Sequence, residues 1–151
     1  MGRLKIHASK SDLMNIDITY AGKRYRFNLF EELQISEAQI NKELKDQTSS
    51  YSFLTMLNEH LLKSKKELEL EKKATYARMY VNFKENFILN GRAASDDACK
   101  AKVECSTKFK SVCTELIQTE FNLGIISRAV EAFEQRKDLL QSLSANMRKE
   151  R

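Results

Sequence analysis

Apolar and polar positions alternate with period two over residues 15–30. Ile16, Ile18 and Tyr20 are separated by Asp17 and Thr19, and Tyr25, Phe27 and Leu29 by Arg26 and Asn28. Ala21-Gly22-Lys23 stands between the two runs. This pattern predicts a β-hairpin with one apolar face. A lone hairpin is marginal in water, so that face is expected to pack on helices or on another subunit. The opposite face would carry Arg24 and Arg26, in a stretch that also holds Arg3, Lys5, Lys10 and Lys23.

Beyond Phe30 the apolar spacing changes to threes and fours. Ser36-Glu37-Ala38-Gln39 matches a capping box and predicts a short helix over 36–47, with Ile40 and Leu44 inward. Ser49-Ser50 offers a second start. From there a helix is expected to run to Asn90, where Asn90-Gly91 has the chemistry of a C-cap. Leu54, Leu57, Leu61, Leu68 and Thr75 form one heptad seam along it, and Leu70, Ala74, Ala77, Val81 and Ile88 a second. Ser95, followed by Asp96 and Asp97, opens another helix with favourable charge at its positive end. Gly124 costs about 1 kcal/mol relative to Ala in a helix interior. It is where this segment is expected to kink or divide, into 95–122 and 125–148.

The short link at 91–94 makes the long helices antiparallel neighbours. The expected fold is therefore mainly α: a long antiparallel helical hairpin with a C-terminal amphipathic helix and a small N-terminal β-hairpin. Residues 1–34 form the hairpin appendage and 35–151 the helical domain. Each helix can hide only one stripe on its partner. Tyr76, Tyr80, Phe83 and Phe87 would stay wet in a monomer, as would the C-terminal apolar positions, and exposed patches of that size mark interfaces. A homo-oligomer is expected. Its seam is read first as Ile126, Val130, Phe133, Leu140, Leu143 and Met147, with hairpin core and a docking helix for another protein as the other readings.

Composition supports long helices. The 151 residues contain no proline and four glycines, and proline is the residue that breaks helix interiors. Hydrophobic residues make up 42% and charged residues 31%, so the chain can build a core and is no disordered tail. The net charge of +5 fits an ordinary basic surface or a polyanionic partner. Cys99, Cys105 and Cys113 are odd in number and spaced as neither a metal motif nor a disulfide framework. Reduced thiols in a cytoplasmic setting are expected. No apolar h-region follows Arg3 and Lys5, and no apolar run is long enough to span a bilayer.

No residue set predicts catalysis. His7 and His60 stand alone, and no metalloprotease, phosphate-loop, nucleophile-elbow or dinucleotide fingerprint is present. No cofactor or metal is expected. Carboxylates such as Glu67, Glu69, Glu71, Glu131, Glu134 and Asp138 lie among lysines and arginines at helical spacings, where solvated ion pairs account for them. The strongest functional signal lies within 63–84. Lys63, Lys65, Lys66, Lys72, Lys73, Arg78 and Lys84 face only three glutamates there, and Tyr76, Tyr80, Phe83 and Phe87 recur at helical spacing. Cations beside aromatic rings suit a single strand of nucleic acid: phosphates meet the cations and unstacked bases lie on the rings. The same stripe also reads as helix core, above all at Phe83 and Phe87, and the cations as a wet face.

The residues from Leu54-Thr55-Met56-Leu57-Asn58-Glu59-His60, through Glu71-Lys72-Lys73-Ala74-Thr75-Tyr76-Ala77-Arg78, to Gly91-Arg92 and Ile126-Ser127-Arg128-Ala129-Val130-Glu131-Ala132 resemble the UvsY-type recombination mediator proteins of tailed phages. The resemblance covers about 35–150. It implies a non-enzymatic factor that forms ring-like homo-oligomers, binds single-stranded DNA, and helps a RecA-like recombinase displace single-strand binding protein. The family carries a Lys-x-Arg pair on its DNA-binding helix. Arg78 matches the Arg, Tyr76 stands where the Lys would be, and Lys72 and Lys73 match the preceding Lys pair. Residues 1–34 have no counterpart in it.

Two functions follow. The first is a single-stranded DNA-binding mediator. Its DNA contacts would be Lys65, Lys66, Lys72, Lys73, Arg78 and Lys84 with Tyr76 and Tyr80 stacking, and Arg24 and Arg26 adding to them. The second is a helical protein-interaction module, an adaptor, inhibitor or assembly chaperone, whose apolar stripe serves a protein partner and whose lysines only solubilise it.

Overall fold

The computed structural model of the chain describes residues 5–9, 12–20, 22–93 and 95–149. Its elements are β1 (Lys5–Ser9), β2 (Asp12–Tyr20), β3 (Lys23–Asn28), α1 (Leu29–Leu33), a 3-10 turn (Glu37–Gln39), α2 (Ile40–Leu89), α3 (Asp96–Cys105) and α4 (Thr107–Lys149). Two compact units divide them. Unit 1 is Met1–Glu59 with Asn122–Arg151, and unit 2 is His60–Phe121.

In unit 1 the expected hairpin is present as β2 and β3, antiparallel, with Ile18 opposite Tyr25 and Asp17 opposite Arg26. Gly22 takes φ +76° in the turn, a left-handed value that glycine reaches without strain. Arg3, Lys10 and Ala21 lie outside the described residues. The hairpin is larger than the alternation predicted, because β1 adds a third antiparallel strand beside β2, in the order β1-β2-β3. Ile16 and Ile18 are fully buried. Tyr25 packs on Phe53 of α2, ring centroids 5.3 Å apart, so the apolar face does find a helix. Asn28 ends the sheet and starts α1, its Oδ1 accepting from the Phe30 and Glu31 backbone N–H groups.

The helices of unit 1 are antiparallel. Gln47 Nε2 donates to the Phe133 carbonyl at 2.6 Å, the Tyr51 hydroxyl to Glu134 at 2.7 Å, and the Ser127 hydroxyl to Asn58 at 2.8 Å. The expected boundary at 47–50 is absent, and α2 is one helix of 50 residues. Ser36 makes no side-chain cap bond and leads only into the 3-10 turn. Thr48 and Thr55 return their hydroxyl protons to the carbonyls four residues earlier, which lets them sit inside a helix. With no glycine or proline nearby, nothing stops the helix.

The C-terminal stripe belongs to this core. Ile126, Phe133 and Leu140 are buried by the chain itself, Val130 and Leu143 are half-buried, and Met147 is the exposed member. The expectation that these residues form a seam between copies is therefore corrected for the three that are buried, because the chain's own core already takes them out of water. Arg136 sits among them, 6% exposed. It donates to Gln47 Oε1 at 2.7 Å and to the Gln34 carbonyl at 3.0 Å, and it pairs with Glu43.

Within unit 2 the helices are likewise antiparallel. Tyr76 meets Phe109 edge-on at 5.6 Å, the Ser106 hydroxyl reaches Met79 Sδ at 3.4 Å, and Lys65 meets Glu120 at 3.0 Å. The first seam runs into its core: Leu61, Leu68 and Thr75 are buried in this unit, as are Cys99, Val103, Val112 and Leu116. At the end of α2 the Gly91 N–H bonds the Ile88 carbonyl and the Arg92 N–H the Phe87 carbonyl, both at 3.0 Å, with Gly91 at φ +65°. This is the 6→1, 5→2 closure expected of Asn90-Gly91. Ser95 accepts from Ala98 N–H at 3.2 Å, the predicted N-cap.

The break after Ser95 is not at Gly124. It falls at Ser106, whose backbone is extended (φ −69°, ψ 140°) and whose hydroxyl accepts from the Phe109 N–H. Ser106 thus closes α3 and caps α4, a role that serine fills as well as any residue. Gly124 lies inside α4.

Candidate nucleic-acid interface

The cations of residues 63–84 all lie on α2, and helix geometry decides which of them share a flank. Residues seven apart stand nearly in line at 3.6 residues per turn. Lys66, Lys73, Tyr80 and Phe87 are spaced by seven, and Lys84 lies one turn beyond Tyr80 on the same side. Lys66 and Lys73 are exposed and, among the described residues, make no ion pair. This is the flank that an extended anion could follow.

Tyr80 and Lys84 are tied to α3. The Tyr80 hydroxyl donates to Asp96 Oδ1 at 2.5 Å, and Lys84 Nζ lies 3.7 Å from the same oxygen and 5.8 Å from the Tyr80 ring centre. The Asp96 hydrogen bond, then burial, push the Tyr80 phenol up to about 12. The same bond, with Lys84 and Lys100 nearby, holds the Asp96 carboxyl below its usual range. Tyr76 stacks near-parallel on Tyr80, 12° between planes and 6.5 Å between centroids, so two half-buried rings stand beside the lysines.

Other expected contacts are placed elsewhere. Lys65 is bound to Glu120 and lies 3.9 Å from Glu69, and Glu120 raises its pKa. Lys72 is half-buried at the edge facing the partner helix. Arg78 lies five residues past Lys73, about 140° around the helix, in line with Glu71 and Glu85. It does not share the flank of Lys66 and Lys73. Arg24 and Arg26 are in unit 1, where both bond Asp17, at 3.2 and 2.8 Å. Arg26, then Arg24, hold the Asp17 carboxyl below its usual range.

Lys102 and Arg92 lie outside the residues that the sequence pattern marks as DNA contacts. Lys102 lies over two rings, 4.5 Å from the Phe87 centroid and 5.8 Å from that of Phe83. A lysine on a neighbouring helix has no sequence spacing to the rings that it covers, and only the fold reveals it. The second heptad seam lies on the outer face of unit 2: Leu70 is 67% exposed, Val81 51% and Ile88 62%, with Ala74 and Ala77 exposed between them. Among the described residues no helix is long and apolar enough to cross a membrane.

No protein-family profile matches the chain, and no curated protein matches it in sequence. Solved structures do match its fold. One crystal structure of the bacteriophage T4 recombination mediator protein UvsY, in lattice type IV, aligns with TM-score 0.61 and 17% identity, covering 82% of this chain and 93% of that one. Another, in lattice type II, aligns with TM-score 0.62 and 16% identity, covering 81% and 91%. The chain has the fold of these structures, as the residue-level resemblance implied.

Proposed function

We propose that this chain is a non-enzymatic recombination mediator that binds single-stranded DNA and helps a RecA-like recombinase replace single-strand binding protein on it. The observation that carries the reading is the α2 flank on which exposed, unpaired Lys66 and Lys73 run into Tyr80 and Lys84. The fold shared with a protein described as a recombination mediator supports the same reading. Phosphates would contact Lys66, Lys73 and Lys84, and a base would lie against Tyr76 or Tyr80. Arg78, Lys65 and Lys72 would contribute less, because one faces the acidic side and the others face the partner helix. Lys84 would exchange Asp96 for phosphate at small cost, since exposed ion pairs contribute little.

The DNA-binding track would be completed by self-association. The outer seam of Leu70, Ala74, Ala77, Val81 and Ile88 repeats at the alternating spacing that packs helix on helix, and Lys66 and Lys73 run along one side of it. In parallel copies joined there, each lysine flank would lie beside the Glu71–Arg78 edge of the next copy, so that the flanks would repeat from copy to copy in a ring-like homo-oligomer.

Fluorescence anisotropy with oligo(dT) across 50–300 mM salt tests the reading. The affinity should fall steeply with salt. A Lys66→Ala/Lys73→Ala variant should flatten the log–log slope by about 1.4, since each phosphate contact on a single strand contributes about 0.7. Arg78→Ala should leave the slope nearly unchanged. An affinity indifferent to salt, or full activity of the double variant, would favour the protein-interaction module, in which the exposed seam serves a different protein.

A further inference from the structure

Where unit 2 turns, the last turn of α2, the Gly91-Arg92 link and α3 enclose a cleft of about 400 Å3 lined by Phe83, Asn86, Phe87, Asn90, Arg92 and Lys102. Among the described residues neither Arg92 nor Lys102 has a carboxylate partner. The Lys102 ammonium rests on ring faces instead. Rings hold an ammonium by their quadrupole but leave its N–H donors without an anion. Asn90 donates from its side chain to the Asn86 carbonyl at 2.7 Å, which stiffens one wall. Of the α2 carbonyls at this end, those of Ile88 and Phe87 are occupied by the Gly91 and Arg92 N–H groups.

We propose that this cleft holds one nucleotide of a single strand, its phosphate between Lys102 and Arg92 and its base on the rings of Phe83 and Phe87. The inference rests on the nucleic-acid reading above and adds a subsite to it. Phosphate draws the Lys102 ammonium off the ring faces, and the neighbouring base takes the area uncovered. A strand is favoured over a free nucleotide by continuity. Phe87 is the fourth member of the line Lys66, Lys73, Tyr80, Phe87, so the cleft stands at the end of a track about 30 Å long at 1.5 Å per residue.

Ultraviolet cross-linking of the full chain to oligo(dT), with adducts mapped by mass spectrometry, tests it. An adduct is expected within residues 83–92. Arg92→Ala/Lys102→Ala should lower its yield about ten-fold with an unchanged circular dichroism spectrum. Phe87→Leu, which keeps apolar volume but loses the ring, should weaken binding at least about five-fold, the effect of one lost stacking contact. Inorganic phosphate or dTMP at equal nucleotide concentration should not compete. If the oligonucleotide binds and adducts form only at Tyr76 or Tyr80, the cleft is not a subsite and the flank reading stands. Equal competition by dTMP overturns the assignment to a strand. Absence of binding at low salt overturns both readings.

Discussion

The Tyr80 hydroxyl donates a 2.5 Å hydrogen bond to Asp96 in the first turn of α3, joining α2 to the start of α3. The bond sets a pH window. The Tyr80 pKa is raised to about 12, so its contribution to stability is complete below the ordinary tyrosine value near 10. That contribution is lost as pH climbs towards 12. The Asp96 pKa is lowered, so its contribution is complete above the ordinary aspartate value near 4 and is lost as pH falls below it. Absorbance titration at 295 nm should find a phenol that ionises near pH 12 and vanishes in Tyr80→Phe. If every tyrosine titrates near 10, the link does not form.

Arg136 is a buried cation held by Gln47, the Gln34 carbonyl and Glu43, while its Nε has no partner. Arg136→Met would leave Glu43 and two acceptors facing a methyl group. Removing one partner of a buried pair costs about 3 kcal/mol or more, and urea unfolding should register that loss. Arg136→Lys should recover little of it, because an ammonium cannot span three acceptors as a planar fork does. A loss below about 1 kcal/mol would mean that Glu43 and Gln47 are satisfied by water.

What the sequence disclosed follows from the range of the interactions. Ser95 and Asn90-Gly91 are end signals because each satisfies backbone groups within a few residues, and both act as read. Ser36 and Ser49-Ser50 carry the same chemistry but start no α-helix: Ser36 makes no cap bond, and α2 runs on through Ser49-Ser50 with no glycine or proline to stop it. Ser106 was legible as a cap and was eclipsed by Gly124, whose helical penalty is small beside 43 residues of packing. The flank was half legible. Period seven aligns Lys66, Lys73 and Tyr80, whereas counting charges had grouped Arg78 with them. Lys102 over Phe87 was not legible at all.

The two helix glycines should respond in opposite directions. Gly91 holds φ +65°, where a Cβ is strained by about 1–2 kcal/mol, so Gly91→Ala should destabilise the chain by about that much. Gly124 lies inside α4 without a left-handed φ, and a Cβ there would meet nothing within 4 Å. Gly124→Ala should stabilise by about 1 kcal/mol. Thermal or urea unfolding of the two variants reads both signs, and equal signs would contradict the helix boundaries described.

The outer seam makes the last prediction. In water an exposed line of Leu70, Ala74, Ala77, Val81 and Ile88 gains most by meeting a copy of itself, because two like stripes at heptad spacing interlock. In parallel copies Lys66 of one faces Glu71 of the next, which is favourable, and the same offset sets Lys73 against Arg78, which is not, whereas antiparallel copies set Lys66 and Lys73 against lysines alone. Light scattering after size exclusion should therefore give a mass of several chains, and Val81→Glu should reduce it towards one. The same variant should weaken oligo(dT) binding about 100-fold without touching Lys66 or Lys73, since linked sites gain that much from local concentration. A single-chain mass for the unaltered protein would reject the seam. A mass that Val81→Glu leaves unchanged would move the interface to another face, with Ile117 and Phe121, also exposed, the next residues to substitute.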